Sequence, residues 1–407
     1  MSSRIAPAVL FSAAFLLALP GAWSAARAGS QSPPAAAQAL AAKALEHFYS
    51  AEFLEAVEAY REAARLDPSD PALWRGIADG YLFQLLLVGG RLDSGLYTEA
   101  NEFVRAKPVP PDPQLIRQMW EAIAQARKLC EARLRSHPND QQARYELGMS
   151  YAGESTYNVM VARKYWDGLR AASKARDHHR NLLKADPAYH DAKLVLGVYE
   201  YFTGSLPAPI RWIVRLAGYH VGSKTKGIEL LEDAMQRGSR SLAPALSLLT
   251  VVHNRERRYG EAREVVERFA QLYPRNFIAP VEIAYLHLRE GNRPAAIRQL
   301  QLIREKRQAG APGLHRVDAA KLYFQLAGLL EQEKRSAEAA ASYRELLGLP
   351  DKDPALEGQS LIRLGDILRA NGHREEARGM YERAVQSSLR EVARQGRARL
   401  RALDRAR

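Results

Sequence analysis

From Ala37 the chain repeats one helical pattern every 34 residues. In the first period Ala56, Tyr60 and Ala63 recur at i, i+4 and i+7, and Pro68 follows. In the second, Trp74, Ile77, Ala78 and Tyr81 fall on one helix face at i, i+3, i+4 and i+7. Each period therefore predicts two antiparallel helices. Small residues let the pair approach, aromatic residues fill the gaps, and proline ends the second helix. Stacked pairs bury their apolar faces against neighbours, so 407 residues need no single large core.

The period stretches after the second unit. Leu82 to Val88 is an almost unbroken apolar run ending at Gly89-Gly90, and a Pro-rich stretch reaches Pro113. The frame returns at Leu147, Gly148 and Tyr151, followed by one long predicted helix from Tyr157 through Leu183. It stretches again from Tyr201 to Gly227. Regular spacing resumes from Ala243 and continues through Ala262, Ala284, Ala296, Tyr323, Ala339, Gly365, Ala377 and Tyr381. The loops at 258–262, 290–294 and 370–374 offer Gly or Asn where a helix must end in a left-handed residue.

With these residues at these spacings the chain resembles the tetratricopeptide repeat (TPR). The resemblance implies an all-α, TPR-type α-solenoid, a right-handed superhelix of antiparallel helix pairs with irregular, extended central units. The expected organisation is a solenoid of about eight units over 37–386, with insertions near 89–113, 152–172 and 204–227. A capping helix over 387–407 has Leu389, Val392, Ala393, Leu400 and Leu403 on one face and arginines on the other. Three departures from plain TPR spacing, at Ser94–Thr98, Gly204–Pro207 and Gly218–Leu231, resemble a family of exported bacterial TPR proteins with no assigned activity. Residues 204–234 also resemble the eukaryotic inclusion-body-clearance TPR family, which implies shared architecture.

Arg4, the short apolar run Val9–Leu19 and the small-x-small site Ala26-Arg27-Ala28 read as a cleavable signal peptide over 1–28, with a flexible lead-in over 29–36. The run is shorter than the ~20 residues of a membrane span. The expectation is an exported, periplasmic or extracellular protein, soluble after cleavage. Cys130 is the single cysteine, which excludes an internal disulfide and reads as a buried thiol.

Candidate chemistry is thin. Gly218 to Thr225 approaches a phosphate-binding loop, but Ser223 stands where the second glycine belongs and no strand precedes it. His178, His179 and His190 with Asp177 are the densest histidine cluster, yet adjacent helical residues point about 100° apart. There is no H-E-x-x-H, cysteine pair or G-x-S-x-G. No catalytic residue, cofactor or metal is expected, and the function expected is a non-enzymatic scaffold.

Partner contact is expected on the concave groove. Positions taken from the TPR resemblance give Phe48, Tyr49, Arg75, Tyr145 and Tyr201 in an aromatic N-terminal half. They give Asn254, Arg255, Tyr285, Arg289 and Arg369 in a polar, basic C-terminal half. The net charge of +13 favours an acidic protein or peptide; nucleic acid is not expected. The alternative is a peripheral membrane adaptor. It would use the segment 206–219, where Ile210, Trp212, Ile213 and Leu216 make apolar stripes beside Arg211 and Arg215, together with the basic C-terminal helix.

Overall fold

A computed structural model describes residues 34–92, 95 and 109–405. The predicted signal segment 1–28, most of the lead-in and residues 93, 94 and 96–108 of the 89–113 insertion, with most of the 94–98 motif, lie outside them. The described residues form 18 α-helices and no strand. The fold is an all-α, TPR-type fold. The described residues divide into two compact units, 34–92 with 109–276, and 95 with 277–405.

In the first unit the helices are α1 (Ala35–Tyr49), α2 (Phe53–Leu66), α3 (Pro71–Val88), α4 (Pro113–Ser136), α5 (Gln141–Thr156), α6 (Tyr165–Ala185), α7 (Ala192–Gly204), α8 (Ala208–Leu216), α9 (Lys224–Arg237), α10 (Leu242–Arg255) and α11 (Tyr259–Leu272). They pack as five antiparallel pairs: α1 with α2, α3 with α4, α5 with α6, α7 with α9, and α10 with α11. The small and aromatic positions do the work the pattern assigns them. Ala56, Tyr60 and Ala63 are buried. A Cβ on Gly76 would come within 2.8 Å of the Tyr60 ring, so only glycine lets α3 cross α2 here. Cys130 is buried, and burial pushes its thiol pKa well up, which keeps it a protonated packing group.

The long predicted helix from 157 to 183 is two elements. α5 runs into a π-helical turn at Tyr157–Val161, and Arg163 then takes a left-handed conformation at φ 56°. The Lys164 amide donates back to the Asn158 carbonyl at 2.7 Å, closing the end as a helix C-cap does. α6 starts afresh at Tyr165. Helical periodicity carried the prediction through the break because a π turn keeps apolar residues on the buried side.

The five pairs close on themselves. Tyr49, at the end of α1, packs against Phe269 and Tyr273 beyond it at the end of α11, with ring centroids 6.3 and 4.8 Å away. Arg275 pairs with Glu46 at 3.1 Å. A charged network links α3 and α5 with Arg240 in the turn before α10. The Arg75 guanidinium donates to Glu146 at 2.5 Å and also to Asp79. Gln142 bridges Glu146 to Arg240 through bonds of 3.2 and 2.8 Å. Burial pushes Asp79 up to about 7 against the pull of Arg75.

The second unit holds α12 (Ile278–Arg289), α13 (Arg293–Gln308), α14 (Ala319–Gln332), α15 (Ser336–Leu347), α16 (Pro354–Ala370), α17 (Arg374–Val385) and α18 (Arg390–Arg405). α12–α13, α14–α15 and α16–α17 pair, and α18 lies on α16 and α17. α18 buries Val392, Ala393, Gly396 and Leu403. Arg399 pairs with Asp366 at 2.8 Å and Arg394 with Glu391 at 2.6 Å, so part of its basic face is neutralised.

Turns between paired helices repeat one left-handed residue: Ala51, Arg257, Gly291, Lys334 and Gly372. For the expected 258–262 loop this residue is Arg257, one position before it, while Gly260 lies inside α11. The fixed pair geometry imposes positive φ even where no glycine is present.

Candidate functional site

The predicted groove residues fall into two groups. Phe48, Tyr49, Arg75, Tyr145, Tyr201 and Tyr285 are buried, each with at most 4% of its surface exposed. Such side chains cannot touch a partner, so the groove-lining expectation is corrected for all six. Phe48 packs edge-on to Tyr49, Phe53 and Phe83. Tyr145 meets His179 edge-on and Tyr189 at a tilt, and the Tyr201 hydroxyl donates to Glu256 at 2.8 Å. The physical reason in the first unit is the closure of its five pairs, which fills the concave side with their own side chains. Asn254 and Arg255 are half-buried, and Arg289 and Arg369 are exposed.

The histidines do not gather. His179 is buried with Nδ1–H donating to the Ala175 carbonyl at 2.9 Å, and His178 stacks on Tyr151. His190 meets Asp233 at 2.8 Å. Among the described residues no three His, Cys, Asp or Glu side chains make a group that could hold a metal. In the phosphate-loop-like segment two central backbone amides already have side-chain acceptors. Gly222 N–H donates to Thr203 Oγ1 at 2.9 Å and Ser223 N–H to Glu200 at 3.0 Å.

The segment 206–219 is where surface chemistry concentrates. Pro207 and Pro209 start α8, because proline fits the first turn, where no amide partner is required. Gly218 ends it with φ 83°, which favours glycine. Gly222 then brings the chain hard against α7: a Cβ there would sit 2.4 Å from the Glu200 Cα. α8 is thus an excursion between the two helices of one pair.

Of its nine residues α8 buries only Val214. Trp212 is 63% exposed, Leu216 66% and Ile213 45%. Trp166, at the start of α6, is 52% exposed. Single exposed apolar residues are ordinary, but a run of them on one short helix is not. No Asp or Glu occurs from 201 to 228 or from 155 to 166. Arg163, Lys164, Arg211 and Arg215 lie in these stretches, and all four are exposed.

Beneath α8 lies a cavity of about 240 Å³. Val159 of the π turn, Tyr165, Trp166, Leu169 and Ala172 of α6, Phe202 of α7, and Leu206, Ile210 and Val214 of the α8 segment supply its apolar wall. Its three aliphatic hydroxyls donate to carbonyls: Ser155 to Gly168, Thr203 to Tyr199 and Ser205 to Tyr201. Arg255 is the one charged lining residue, its guanidinium 5.5 Å from the centre of the Phe202 ring. Sequence reading found α8 and named Arg255 as a groove residue. It missed the cavity, because Tyr165 and Trp166 reach it only through the break at Arg163.

Tetratricopeptide-repeat models match residues 41–109 and 320–353. No curated relative matches. Among solved structures, yeast Tom70 is similar at 13% identity and TM-score 0.32, over 90% of this chain and 95% of that one. PilF of Pseudomonas aeruginosa is similar at 17% identity and TM-score 0.34, over 60% and 90%. A tetratricopeptide repeat protein from Parabacteroides merdae is similar at 14% identity and TM-score 0.29, over 82% and 100%.

Proposed function

We propose that this chain is a non-enzymatic TPR-type scaffold that works at an anionic membrane surface. Its helix pairs offer a partner their exposed faces, Arg289 and Arg369 among them, and α8 is the element that seats in the lipid headgroup layer. The observation that carries this reading is α8 itself. It leaves Trp212, Ile213 and Leu216 in water, has arginine at 211 and 215, and has no carboxylate for many residues on either side. Tryptophan and arginine are the side chains that favour the boundary between headgroups and acyl chains. No described helix is long and apolar enough to cross a membrane, so the contact proposed is peripheral. The basic face of α18 has a secondary role in this reading, since Arg394 and Arg399 already have carboxylate partners.

Export is part of the proposal, resting on the three-part pattern of residues 1–28. The deciding experiment is co-sedimentation with phosphatidylglycerol vesicles and with phosphatidylcholine vesicles. Binding to the anionic vesicles that is weakened by Trp212→Ser supports the reading. Absence of binding to both, or binding indifferent to Trp212, removes it.

A further inference from the structure

The cavity beneath α8 has a composition that the exposed face of α8 does not explain. Its wall is largely apolar, the Tyr165 phenol aside, and the Ser155, Thr203 and Ser205 hydroxyls give their protons to backbone carbonyls and have none left to donate to a guest. A cavity of this kind gains little from water, which needs two to four polar partners, and it favours an apolar occupant. At about 240 Å³ it lies just below the range of pockets that hold compact drug-sized ligands, so a slim, linear guest suits it best.

One charge stands at this apolar space. Arg255 ends α10, half-buried, with its guanidinium near the face of Phe202. Among the described residues it has no ion-pair partner. The neighbouring Glu256 is engaged elsewhere, accepting from Lys224 at 2.7 Å and from Tyr201 at 2.8 Å. A cation beside an apolar cavity, with the local carboxylate already committed, is complementary to an anion on an apolar tail.

We propose that this cavity binds a single-tailed anionic amphiphile of the fatty-acid class, its alkyl chain between α6, α7 and α8 and its carboxylate on Arg255. Ile210 and Val214 hold the chain from the α8 side, and Trp166 and Leu169 from the α6 side. The site goes beyond the membrane reading and stands without it, because the ligand is taken from solution as a monomer. α8 then has two faces with separate tasks: Ile210 and Val214 toward the cavity, Trp212 and Leu216 toward the surroundings.

The test uses the purified protein without vesicles and cis-parinaric acid, a fluorescent fatty acid, below the concentration at which it forms micelles. Dodecanoate and dodecanol compete for the site in separate titrations. The expected result is saturable binding at one site, with dodecanoate displacing the probe about tenfold better than dodecanol. Arg255→Gln abolishes that preference, and Ile210→Asp, which puts a carboxylate at the lining, weakens the probe by about tenfold or more. Circular dichroism of each variant checks its fold; if Ile210→Asp does not fold, Arg255→Gln alone decides. No saturable binding, equal displacement by the alcohol, or a preference unchanged in Arg255→Gln overturns the proposal. Vesicle binding that fails while probe binding persists leaves this site standing and removes the membrane reading.

Discussion

The side-chain amide of Asn276 donates to the backbone carbonyl of Tyr49 at 2.7 Å, joining positions 227 residues apart. Both groups are buried, and the bond sits beside the Tyr49–Tyr273 ring contact where the first and fifth helix pairs meet. A linear stack of pairs makes only neighbour contacts. This bond is a contact between ends, and it makes the first unit cooperative in a way the repeat pattern alone does not require. Replacing Asn276 with Ala leaves the Tyr49 carbonyl without this donor. The expected cost is about 1–3 kcal/mol, read as a lower denaturant midpoint. A variant within 0.3 kcal/mol of the parent would show that the closure contributes nothing.

The Arg75 network predicts a larger effect. Burial alone would lower the Arg75 pKa, but Glu146 and Asp79 more than offset it, so the guanidinium stays charged. Arg75→Met strands the buried Asp79 carboxyl and leaves Glu146 with only Gln142 and Arg240, and should cost about 3–5 kcal/mol. Replacing Arg75 and Asp79 together should recover part of that loss, because one stranded carboxylate is gone. A double-mutant cycle on urea unfolding measures the coupling.

His179 predicts an acid limb. Desolvation is the main cause that lowers its pKa to about 4, below the ordinary 6.5. Between these values the unfolded chain binds a proton that the folded chain refuses. Stability from this group is therefore complete above pH 6.5 and falls as the pH drops toward 4, by about 3 kcal/mol in all. His179→Gln should flatten that part of the pH–stability curve relative to the parent. Parallel curves for the two proteins from pH 4 to 7 would refute it.

The same imidazole occupies the space beside Gly148. A Cβ added there would lie 2.4 Å from His179 Cε1. Gly148→Ala must push His179 or separate α5 from α6, at an expected cost of about 1–3 kcal/mol. Thermal unfolding followed by circular dichroism measures it, and an unchanged midpoint would mean the pair yields without strain.

The outer face of α8 should separate stability from binding. Trp212→Ser and Leu216→Ser remove side chains that are mostly in water, so each should change unfolding free energy by no more than about 0.5 kcal/mol. Both should lower vesicle binding. A stability loss of 2 kcal/mol or more would mean that these residues pack against the protein.

The sequence by itself determined the helix pairs. Small residues such as Ala56 and Ala63, and aromatic residues such as Tyr60 and Tyr381, repeat at spacings that only paired helices satisfy, and such contacts lie within a few tens of residues. The amphipathic stripe of α8 was legible for the same reason. What the tertiary structure decided is where each stripe faces. Phe48, Tyr49, Arg75, Tyr145 and Tyr201 carry groove spacing, yet the meeting of Tyr49 with Tyr273 closes the first unit and puts all five inside. Nothing local encodes that meeting, because it depends on small rotations accumulated over five pairs. The cavity under α8 is decided the same way. It needs the break at Arg163, the excursion between Gly204 and Gly222, and the end of α10 at Arg255, three features far apart in the chain that only packing brings together.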